Sequence, residues 1–520
     1  MRAVTCAQRL HQLAETRPDD TFVVDGSAAA IVEHTFADLD RLVGGTAMVL
    51  RSLGVGTGTA VHLQLRNSVD FLACLFAVNR LGGFVVPTSP ASTVDDLAYI
   101  TSHAECAVSV VDRAHVEVVL AAHEMAPEIR HVVVADADSH AAPDGVLSLH
   151  RLRDEAGAGG RAADAGFADS GSDDLAAVLY TSGTTGWPKG VMLTNGNLLF
   201  AGEAMAAHAR VRPDDRWLLT LPLFHLNALG YSLMSGLCTG ASVALVDHFD
   251  AAAWHDDVCR LSATLSSLFS VHVRQLLRVD PTPGGSPLRL FFFAQHLTTS
   301  ERTEIERRFG APALQVYGMT ETIAPTIADV PYGERRIDTI GHATPWAVVK
   351  LVDRRGRAVE PGGEGELLVR GEPGRSLMAG YFKRPDETAL VLRDGWLRTG
   401  DRMLQEADGG FRFLGRAVDL IKPGVDNVSA PEIERVLLEH LSVVDAAVVG
   451  AHGRAGDEEI VAFVVLDPGD DATAEELLAW SRERLADYKV PRRIVAIAEL
   501  PRNQLGKVLK GELQRLAANG

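Results

Sequence analysis

Short apolar segments alternate with longer helical patterns through the first half of the chain. Residues 60–65 form an apolar run that suits a buried strand, and residues 68–82 carry apolar side chains at helical spacing. The alternation continues with strand-like segments at 83–87, 106–112 and 131–136 and with a helix-like segment at 115–126. Strands that alternate with helices are typical of βαβ units, so the sequence predicts an α/β fold with a largely parallel sheet.

Residues 154–174 interrupt this alternation. The segment is rich in Gly, Ala and Asp and precedes a strand-like run at 175–182. Clusters of such residues between periodic segments are typical of loops. We therefore predict a surface loop over 154–174, with its acidic side chains in solvent.

The pattern changes in the last third of the chain. Between about 350 and 415, short strands separated by glycine turns predict an antiparallel, barrel-like piece. After residue 418, a helix-like, two strand-like and a second helix-like segment predict a compact α+β module, at 430–441, 444–452, 459–466 and 474–486. We predict two domains, residues 1–417 and 418–520, with a hinge between Arg416 and Lys422.

Composition and charge narrow the class of protein. The 520 residues are 47% hydrophobic and 23% charged, which is typical of a globular protein with a large core. A formal net charge of −18 argues against a nucleic-acid surface and against binding to anionic membranes. The five cysteines are scattered and show no CxxC spacing, so we expect free thiols. Charged residues appear early in the N-terminal segment, so we predict that it is neither a signal peptide nor a membrane span. We expect a cytoplasmic protein.

The strongest chemical signal is YTSGTTGWPKG, from Tyr180 to Gly190. Glycines let backbone N–H groups approach phosphate oxygens, hydroxyls donate further hydrogen bonds, and Lys189 supplies positive charge. The spacing differs from the Walker A pattern because Lys189 follows Pro188. The segment predicts a phosphate-binding loop, and a plain Ser/Thr/Gly turn is the alternative.

Seven further motifs follow the loop along the chain. They are LPLFHLNALG (221–230), VYGMTET (316–322), GELLVRG (365–371), LMAGYFKRPDET (377–388), GWLRTGD (395–401), GRAVDLIK (415–422) and LPRNQLGKVLK (500–510). Together with the loop, they resemble the adenylate-forming enzymes: acyl-CoA synthetases, firefly luciferase and the adenylation domains of peptide synthetases. Bacterial free-standing acyl-CoA synthetases are the most similar of these, and the resemblance covers essentially the whole chain.

The resemblance implies both a fold and a reaction. The expected fold is a large N-terminal domain of parallel α/β sheets with a small β-barrel-like piece, followed by a smaller, mobile α+β domain. The expected chemistry has two half-reactions. A carboxylate first attacks the α-phosphate of ATP, with Mg²⁺ as cofactor, to give acyl-AMP and pyrophosphate. A thiol such as coenzyme A (CoA) then displaces AMP.

The resemblance also implies catalytic residues. Lys507 matches the lysine that bridges carboxylate and α-phosphate, where positive charge offsets the repulsion between two anions. Glu321 matches the magnesium-associated acid, and a carboxylate oxygen suits Mg²⁺. Thr320 matches a phosphate-contacting hydroxyl. His225 matches a residue that lines the acyl pocket, with a buried core histidine as the alternative.

Nucleotide contacts are implied by the same motifs. Tyr317 would lie against the adenine, and Asp401 would accept hydrogen bonds from the ribose hydroxyls with help from Arg416. The full predicted ATP-binding set is Thr181, Ser182, Gly183, Thr184, Thr185, Gly186, Lys189, Ala294, Gln295, His296, Tyr317, Gly318, Met319, Asp401, Arg416 and Lys422.

Three departures from the family pattern stand out. The adenine-flanking loop, usually small residues such as GGAPL, reads FFFAQHLTT, with Ala294, Gln295 and His296. At the hinge, Val418 replaces the usual Asp or Lys. Nine positions after Arg416, Val425 replaces a nearly obligatory glycine that lines the thiol channel.

Val425 bears on the second half-reaction. Its branched side chain adds bulk to the channel wall, and a positive φ there would cost a β-branched residue roughly 1–2 kcal/mol. Gly424 supplies flexibility but does not remove that bulk. The sequence therefore predicts efficient formation of acyl-AMP and hindered transfer to CoA.

The expected small-molecule partner is a carboxylic acid. Under the first hypothesis, acyl-AMP passes to a separate thioesterifying enzyme or carrier protein. The close alternative is an ordinary acyl-CoA synthetase with an adapted loop that uses CoA as co-substrate. A hypothesis of a different class is a non-catalytic nucleotide-binding paralogue, against which Lys507 and Glu321 count.

Overall fold

Two large sheets, each mainly parallel, make up most of the N-terminal region. The computed structural model describes residues 4–27, 30–126, 128–135, 142–143, 145–158, 166–181, 187–280, 285–416, 420–421, 428–452, 458–502 and 508–519. The first strands are β1 Thr21–Asp25, β2 Val32–Thr35, β3 Ala60–Gln64, β4 Phe84–Pro87, β5 Cys106–Val111, β6 His131–Val134, β7 Leu147–Ser148 and β8 Leu175–Thr181. The helices among them are α1 Cys6–Thr16, α2 Phe36–Ser52, α3 Val69–Arg80, α4 Val94–His103, α5 Val116–Met125 and α6 Leu149–Ala158.

The next segment completes both sheets. Its strands are β9 Lys189–Thr194, β10 Arg216–Leu219, β11 Ser242–Leu245, β12 Leu265–Phe269, β13 Leu290–Ala294, β14 Ala313–Tyr317, β15 Ile327–Ala328 and β16 His342–Ala343. Its helices are α7 Asn195–Ala209, α8 Met234–Thr239, α9 Trp254–Arg260, α10 Ser270–Arg278 and α11 Thr299–Phe309. A π-helical turn, Asn227–Leu233, runs directly into α8.

In the remainder, strands outnumber helices among the described residues. They are β17 Val348–Val352, β18 Glu364–Arg370, β19 Gly380–Tyr381, β20 Leu392–Arg393, β21 Trp396–Gln405, β22 Phe411–Arg416, β23 Leu420–Ile421, β24 Val428–Ser429, β25 Val443–His452, β26 Glu458–Leu466 and β27 Arg493–Ala496. The helices are α12 Pro385–Val391, α13 Ala430–Leu438, α14 Ala474–Arg484 and α15 Lys510–Asn519.

The strand order confirms the predicted class. One sheet runs β16-β15-β14-β13-β12-β10-β11-β1-β2, and the other runs β19-β9-β8-β4-β3-β5-β6-β7. Their central strands pair in parallel. Among the outer strands, β2, β9, β15, β16 and β19 pair in antiparallel fashion, whereas the edge strand β7 pairs in parallel. Strands β17, β18, β20, β21 and β22 form the predicted antiparallel piece. A separate small sheet, β25-β26-β27, lies in the C-terminal module, so the large and small units match the expected architecture.

One continuous core joins the two large sheets. It contains Val61 and Val85 from one sheet and Trp217 and Leu245 from the other, all fully buried. Burying an aliphatic side chain of this size contributes ~1.5–3 kcal/mol. The C-terminal module has its own core around Ile433, and this separation is what an independent domain needs.

Polar residues at the strand–helix junctions set where helices begin. Thr194 ends β9 and caps α7: its hydroxyl accepts a hydrogen bond from the Asn197 amide at 3.0 Å. The Asn197 side chain accepts from the Thr194 amide at 3.1 Å, which completes a reciprocal cap. This local chemistry fixes the end of the β8–β9 hairpin that carries the predicted phosphate loop.

The prediction of a surface loop over 154–174 is wrong at its start. Helix α6 extends to Ala158, and Arg153 within it donates to Asp70 at 2.6 Å and to Thr46 at 3.0 Å. Those two tertiary hydrogen bonds hold the helix against α2 and α3, which the Gly- and Ala-rich composition did not reveal. No helix among the described residues is long and apolar enough to cross a membrane.

Candidate active site

Tyr317, Asp401 and Arg416 meet at one edge of the large N-terminal unit. The Tyr317 hydroxyl donates to Asp401 Oδ2 at 2.5 Å, and Arg416 Nε donates to Asp401 Oδ1 at 3.1 Å. Asp401 is only 3% exposed, so its charge is satisfied by partners rather than by bulk water. Burial, and after it the Asp401 carboxylate, raise the pKa of the Tyr317 phenol, which therefore stays protonated and able to donate.

Strand register explains why two of these three residues are neighbours. Asp401 and Arg416 are directly opposite each other on antiparallel β21 and β22. Tyr317 is the last residue of β14, and a carboxyl end of a parallel strand is where open α/β sheets place ligands. The sequence predicted these residues for adenine and ribose, and the structure brings them together.

Glu321 lies in a tight turn that follows β14. Residues Thr320–Thr322 form a single 3₁₀ turn, and Ile323 then adopts φ 67° and ψ −55°. The Ala324 amide donates to the Thr322 carbonyl at 2.7 Å, which closes a γ-turn around Ile323. A positive φ is strained for a β-branched residue, so the surrounding structure must enforce this reversal.

Glu321 is a buried carboxylate with an aromatic partner. It is 6% exposed, and the Tyr381 hydroxyl donates to its Oε1 at 2.9 Å. Burial raises the pKa of Glu321, while the Tyr381 hydrogen bond and the charge of Arg416 lower it. The described residues hold no cluster of three or more metal-ligating side chains. A lone carboxylate nevertheless fits Mg²⁺, which binds through one or two carboxylates together with substrate phosphates and water.

The predicted adenine-flanking loop follows β13 and is held by hydrogen bonds from α10 and β14. Gln295 has φ 73°, and its carbonyl accepts from the Gln315 side chain at 2.7 Å. The Gln295 side chain accepts from Ser270 at 2.9 Å, and the His296 carbonyl accepts from Arg274 at 2.9 Å. These hydrogen bonds fix the backbone at Gln295 and His296, whose side chains are exposed. Ala294 is the last residue of β13.

His225 precedes the π-helical turn and is partly buried, with its Nε2 out of contact with solvent. Burial lowers the pKa of His225 to about 3, so the imidazole is neutral near pH 7. Its Nε2 is buried and has no hydrogen-bond partner among the described residues. The turn approaches the other motifs through Tyr231, whose hydroxyl lies 3.0 Å from where a β-carbon on Gly318 would stand. Glycine at position 318 therefore leaves room for the Tyr231 hydroxyl.

The ends of the predicted phosphate loop are held by a hairpin. Thr181 and Lys189 are opposite residues on antiparallel β8 and β9. Lys189 Nζ lies 2.6 Å from Glu387 Oε2 and over the Tyr381 ring at 5.1 Å from its centroid. The same tyrosine therefore contacts both the loop lysine and Glu321, which links the two predicted phosphate-side groups.

Tyr381 and Glu387 are residues that the sequence analysis did not single out. Both belong to the quoted motif LMAGYFKRPDET, so the motif itself carried the signal. What the sequence lacked was the pairing of β19 with β9, which places Tyr381 opposite Val191 and beside Lys189. Met319 is half-buried beside Thr320, at the start of the turn.

Several predicted site residues lie outside the described part of the chain. They are Ser182, Gly183, Thr184, Thr185, Gly186, Val418, Lys422, Gly424, Val425 and Lys507. The predicted boundary at 417/418 also falls there. Their assigned roles, like those of the described site residues, stay predictions.

Models of one enzyme family match both parts of the chain. The AMP-binding enzyme family matches residues 10–382, and its C-terminal domain matches residues 432–507. A crotonobetaine/carnitine–CoA ligase from Escherichia coli O157:H7 is 32% identical over 497 residues, which cover 95% of each chain.

Solved structures with the same fold include ligand complexes. ATP-bound MatB from Rhodopseudomonas palustris is 29% identical, covers 99% of each chain and superposes with a TM-score of 0.86. The o-succinylbenzoate-CoA synthetase of Bacillus subtilis, bound to its acyl-adenylate intermediate, is 26% identical, covers 97% of each chain and has a TM-score of 0.84. The chain therefore belongs to the AMP-binding enzyme family and is an adenylating ligase of the acyl-CoA synthetase type.

Proposed function

We propose that the protein activates a small carboxylic acid with ATP and Mg²⁺ to give acyl-AMP and pyrophosphate. The observation that carries this proposal is the triad Tyr317–Asp401–Arg416 beside the buried Glu321. A nucleoside presents two ribose hydroxyls, and a buried carboxylate fixed by two donors is a rigid acceptor for them. The ATP complex of MatB and the acyl-adenylate complex of the Bacillus enzyme support the same assignment.

The reaction is a displacement at phosphorus. A carboxylate oxygen forms a bond to the α-phosphorus, and the bond from that phosphorus to the bridging oxygen breaks, so pyrophosphate leaves with the electron pair. Catalysis then consists of positioning and of offsetting negative charge. Asp401 and Tyr317 hold the nucleoside, while Lys189 and Lys507 provide positive charge toward the phosphates and carboxylate.

Glu321 is the residue that would hold Mg²⁺. When bound, the ion supplies charge neutralisation on the phosphate oxygens. Tyr381 keeps the Glu321 carboxylate oriented and favours its ionised form, because its hydroxyl donates to Oε1. His225 is neutral near pH 7, so it would line the acid pocket without adding a positive charge that competes for the carboxylate.

We further propose that Val418 and Val425 slow the transfer of the acyl group from AMP to CoA. The acyl-AMP would then pass to a partner enzyme or carrier protein. The measurement is to supply ATP, Mg²⁺ and a panel of carboxylic acids, with and without CoA, and to quantify pyrophosphate and thioester separately. Pyrophosphate with little acyl-CoA is the expected result, whereas rapid acyl-CoA formation by the purified chain overturns the slow-transfer proposal.

The variant Val425→Gly tests the same point directly. Removing the branched side chain should raise the rate of acyl-CoA formation and leave pyrophosphate release in the absence of CoA unchanged. Val428→Ala, in strand β24 close to the same segment, is the matched control because it trims a valine that is buried in the C-terminal core. No gain from Val425→Gly would place any block elsewhere.

The second candidate is an ordinary acyl-CoA synthetase that completes both half-reactions. It is favoured by the relatives, since the Escherichia coli and Bacillus proteins are named as a CoA ligase and a CoA synthetase. Equal rates of pyrophosphate and acyl-CoA formation would select it. ATP binding without pyrophosphate release from any acid would instead select a non-catalytic paralogue.

A further inference from the structure

Lys189 is already neutralised by a carboxylate in this structure. Its Nζ lies 2.6 Å from Glu387 Oε2, and the two side chains are only 20% and 27% exposed. The pKa of Glu387 is held below its ordinary value, first by the hydrogen bond from Lys189 and then by that from Arg384. A lysine in a site for a triphosphate therefore has a competing anion beside it.

Glu387 uses its two oxygens for two different cations. Oε2 faces Lys189, while Oε1 accepts from Arg384 Nη1 at 2.5 Å. Both Arg384 and Glu387 lie at the start of α12, with Pro385 as its first residue. If Lys189 moves to another partner, Glu387 keeps its ion pair with Arg384. Its charge is then not left unpaired.

Arg384 also contacts a residue that packs next to the predicted phosphate loop. Its Nη2 donates to the Tyr99 hydroxyl at 3.0 Å, and that hydroxyl donates to the Pro188 carbonyl at 3.2 Å. The Tyr99 ring stacks on Trp187, with centroids 4.6 Å apart and planes inclined by 20°. Arg384 is thus fixed independently of Lys189, whose flexible chain is the part that can change partner.

We propose that Glu387 is a positioning residue that holds Lys189 until a triphosphate displaces it, while Arg384 retains the released carboxylate. The proposal rests on the proposed ATP site. It predicts that Glu387 competes with the phosphates for one ammonium group, so its charge weakens ATP binding and does not support it. A merely structural ion pair would behave in the opposite way, because its loss would loosen the loop.

The test measures ATP dissociation constants by calorimetry in the presence of Mg²⁺ and without any acid. Glu387→Gln should bind ATP roughly twofold to fivefold more tightly, the range that a partly exposed ion pair contributes. Arg384→Gln should bind ATP more weakly by a similar factor, because Glu387 is then left with Lys189 alone. Arg384→Lys should restore the wild-type value, since it returns a cation to the same carboxylate.

The double variant Glu387→Gln/Arg384→Gln isolates the coupling. Without the carboxylate there is no competitor to release, so Arg384→Gln should have no further effect on ATP binding. Glu155→Gln is the matched control, because Glu155 pairs with Arg151 at 2.8 Å on the remote helix α6 and loses the same charge. Adenosine, which carries no phosphate, should bind wild type and Glu387→Gln equally.

Each outcome decides the question. Weaker or unchanged ATP binding by Glu387→Gln, with wild type binding ATP normally, overturns this inference and leaves the proposed function intact. Effects of the same sign in Glu387→Gln and Arg384→Gln also overturn it, since they indicate a structural pair. A wild-type protein that binds no ATP rejects the proposed function, and the inference with it.

Discussion

The nucleoside side and the phosphate side of the candidate site are built differently. On the nucleoside side, Asp401 is 3% exposed and is held by Arg416 from the neighbouring strand β22 and by Tyr317 from the end of β14 in another sheet. On the phosphate side, Lys189 and Glu387 are partly exposed and come from a hairpin and a short helix. Regular strands position the first set, whereas the second is joined through flexible side chains.

The difference corresponds to what each side must accommodate. A ribose keeps its shape through the reaction, so a rigid acceptor is suited to it. The phosphates change charge and bonding, so cations there gain from partners that can be exchanged. Substitutions on the nucleoside side should therefore act on binding in an all-or-none way, and those on the phosphate side should shift it gradually.

The largest effect is expected from Asp401→Asn. The change keeps the shape but removes the charge that accepts from Tyr317 and Arg416, and hydrogen bonds to charged groups are worth about 1.5–3 kcal/mol each. We expect nucleotide affinity to fall roughly 100-fold, measured as the dissociation constant of ATP or AMP. Asp353→Asn, which alters a surface turn where Asp353 pairs with Arg357, is the control. A loss below about threefold in affinity would contradict the rigid-acceptor view.

An intermediate effect is expected from Tyr381→Phe. The Tyr381 hydroxyl stabilises ionised Glu321, so its removal should raise the pKa of Glu321 further above the ordinary value. The ionised form is then lost at a higher pH, and pyrophosphate release should fall severalfold more at pH 5.5 than at pH 8. The pH–rate profile checks this, with Tyr332→Phe on the surface as control. An unshifted acidic limb would mean that Glu321 is not needed in its ionised form.

The smallest effect is expected from Trp187→Ala. Trp187 is 56% exposed, and its main described contact is the stack on Tyr99, worth ~0.5–1.5 kcal/mol. The KM for ATP should rise about twofold to fivefold with kcat little changed, and Trp187→Phe should keep most of the wild-type affinity. A loss as large as that of Asp401→Asn would show that the phosphate side is as rigid as the nucleoside side.

Much of this arrangement was predictable from local sequence. The alternation of apolar strands with helices indicated the parallel sheets, and motif order placed Tyr317, Asp401 and Arg416 in one site. Helix α6 was missed because two tertiary hydrogen bonds from Arg153 override a loop-like composition. Glu387 was missed because its role depends on the pairing of β19 with β9, a contact between residues almost two hundred positions apart.

The γ-turn at Ile323 limits how freely this motif can be transplanted. The strained backbone that turns the chain just after Glu321 is tolerated because the Ile323 side chain is fully buried in the core between the two sheets. A designer who copied only Tyr317–Thr322 into another scaffold would copy the strain without the packing that offsets it. The segment that must be transferred is therefore larger than the motif, since it includes the buried hydrophobic residues that pack around Ile323.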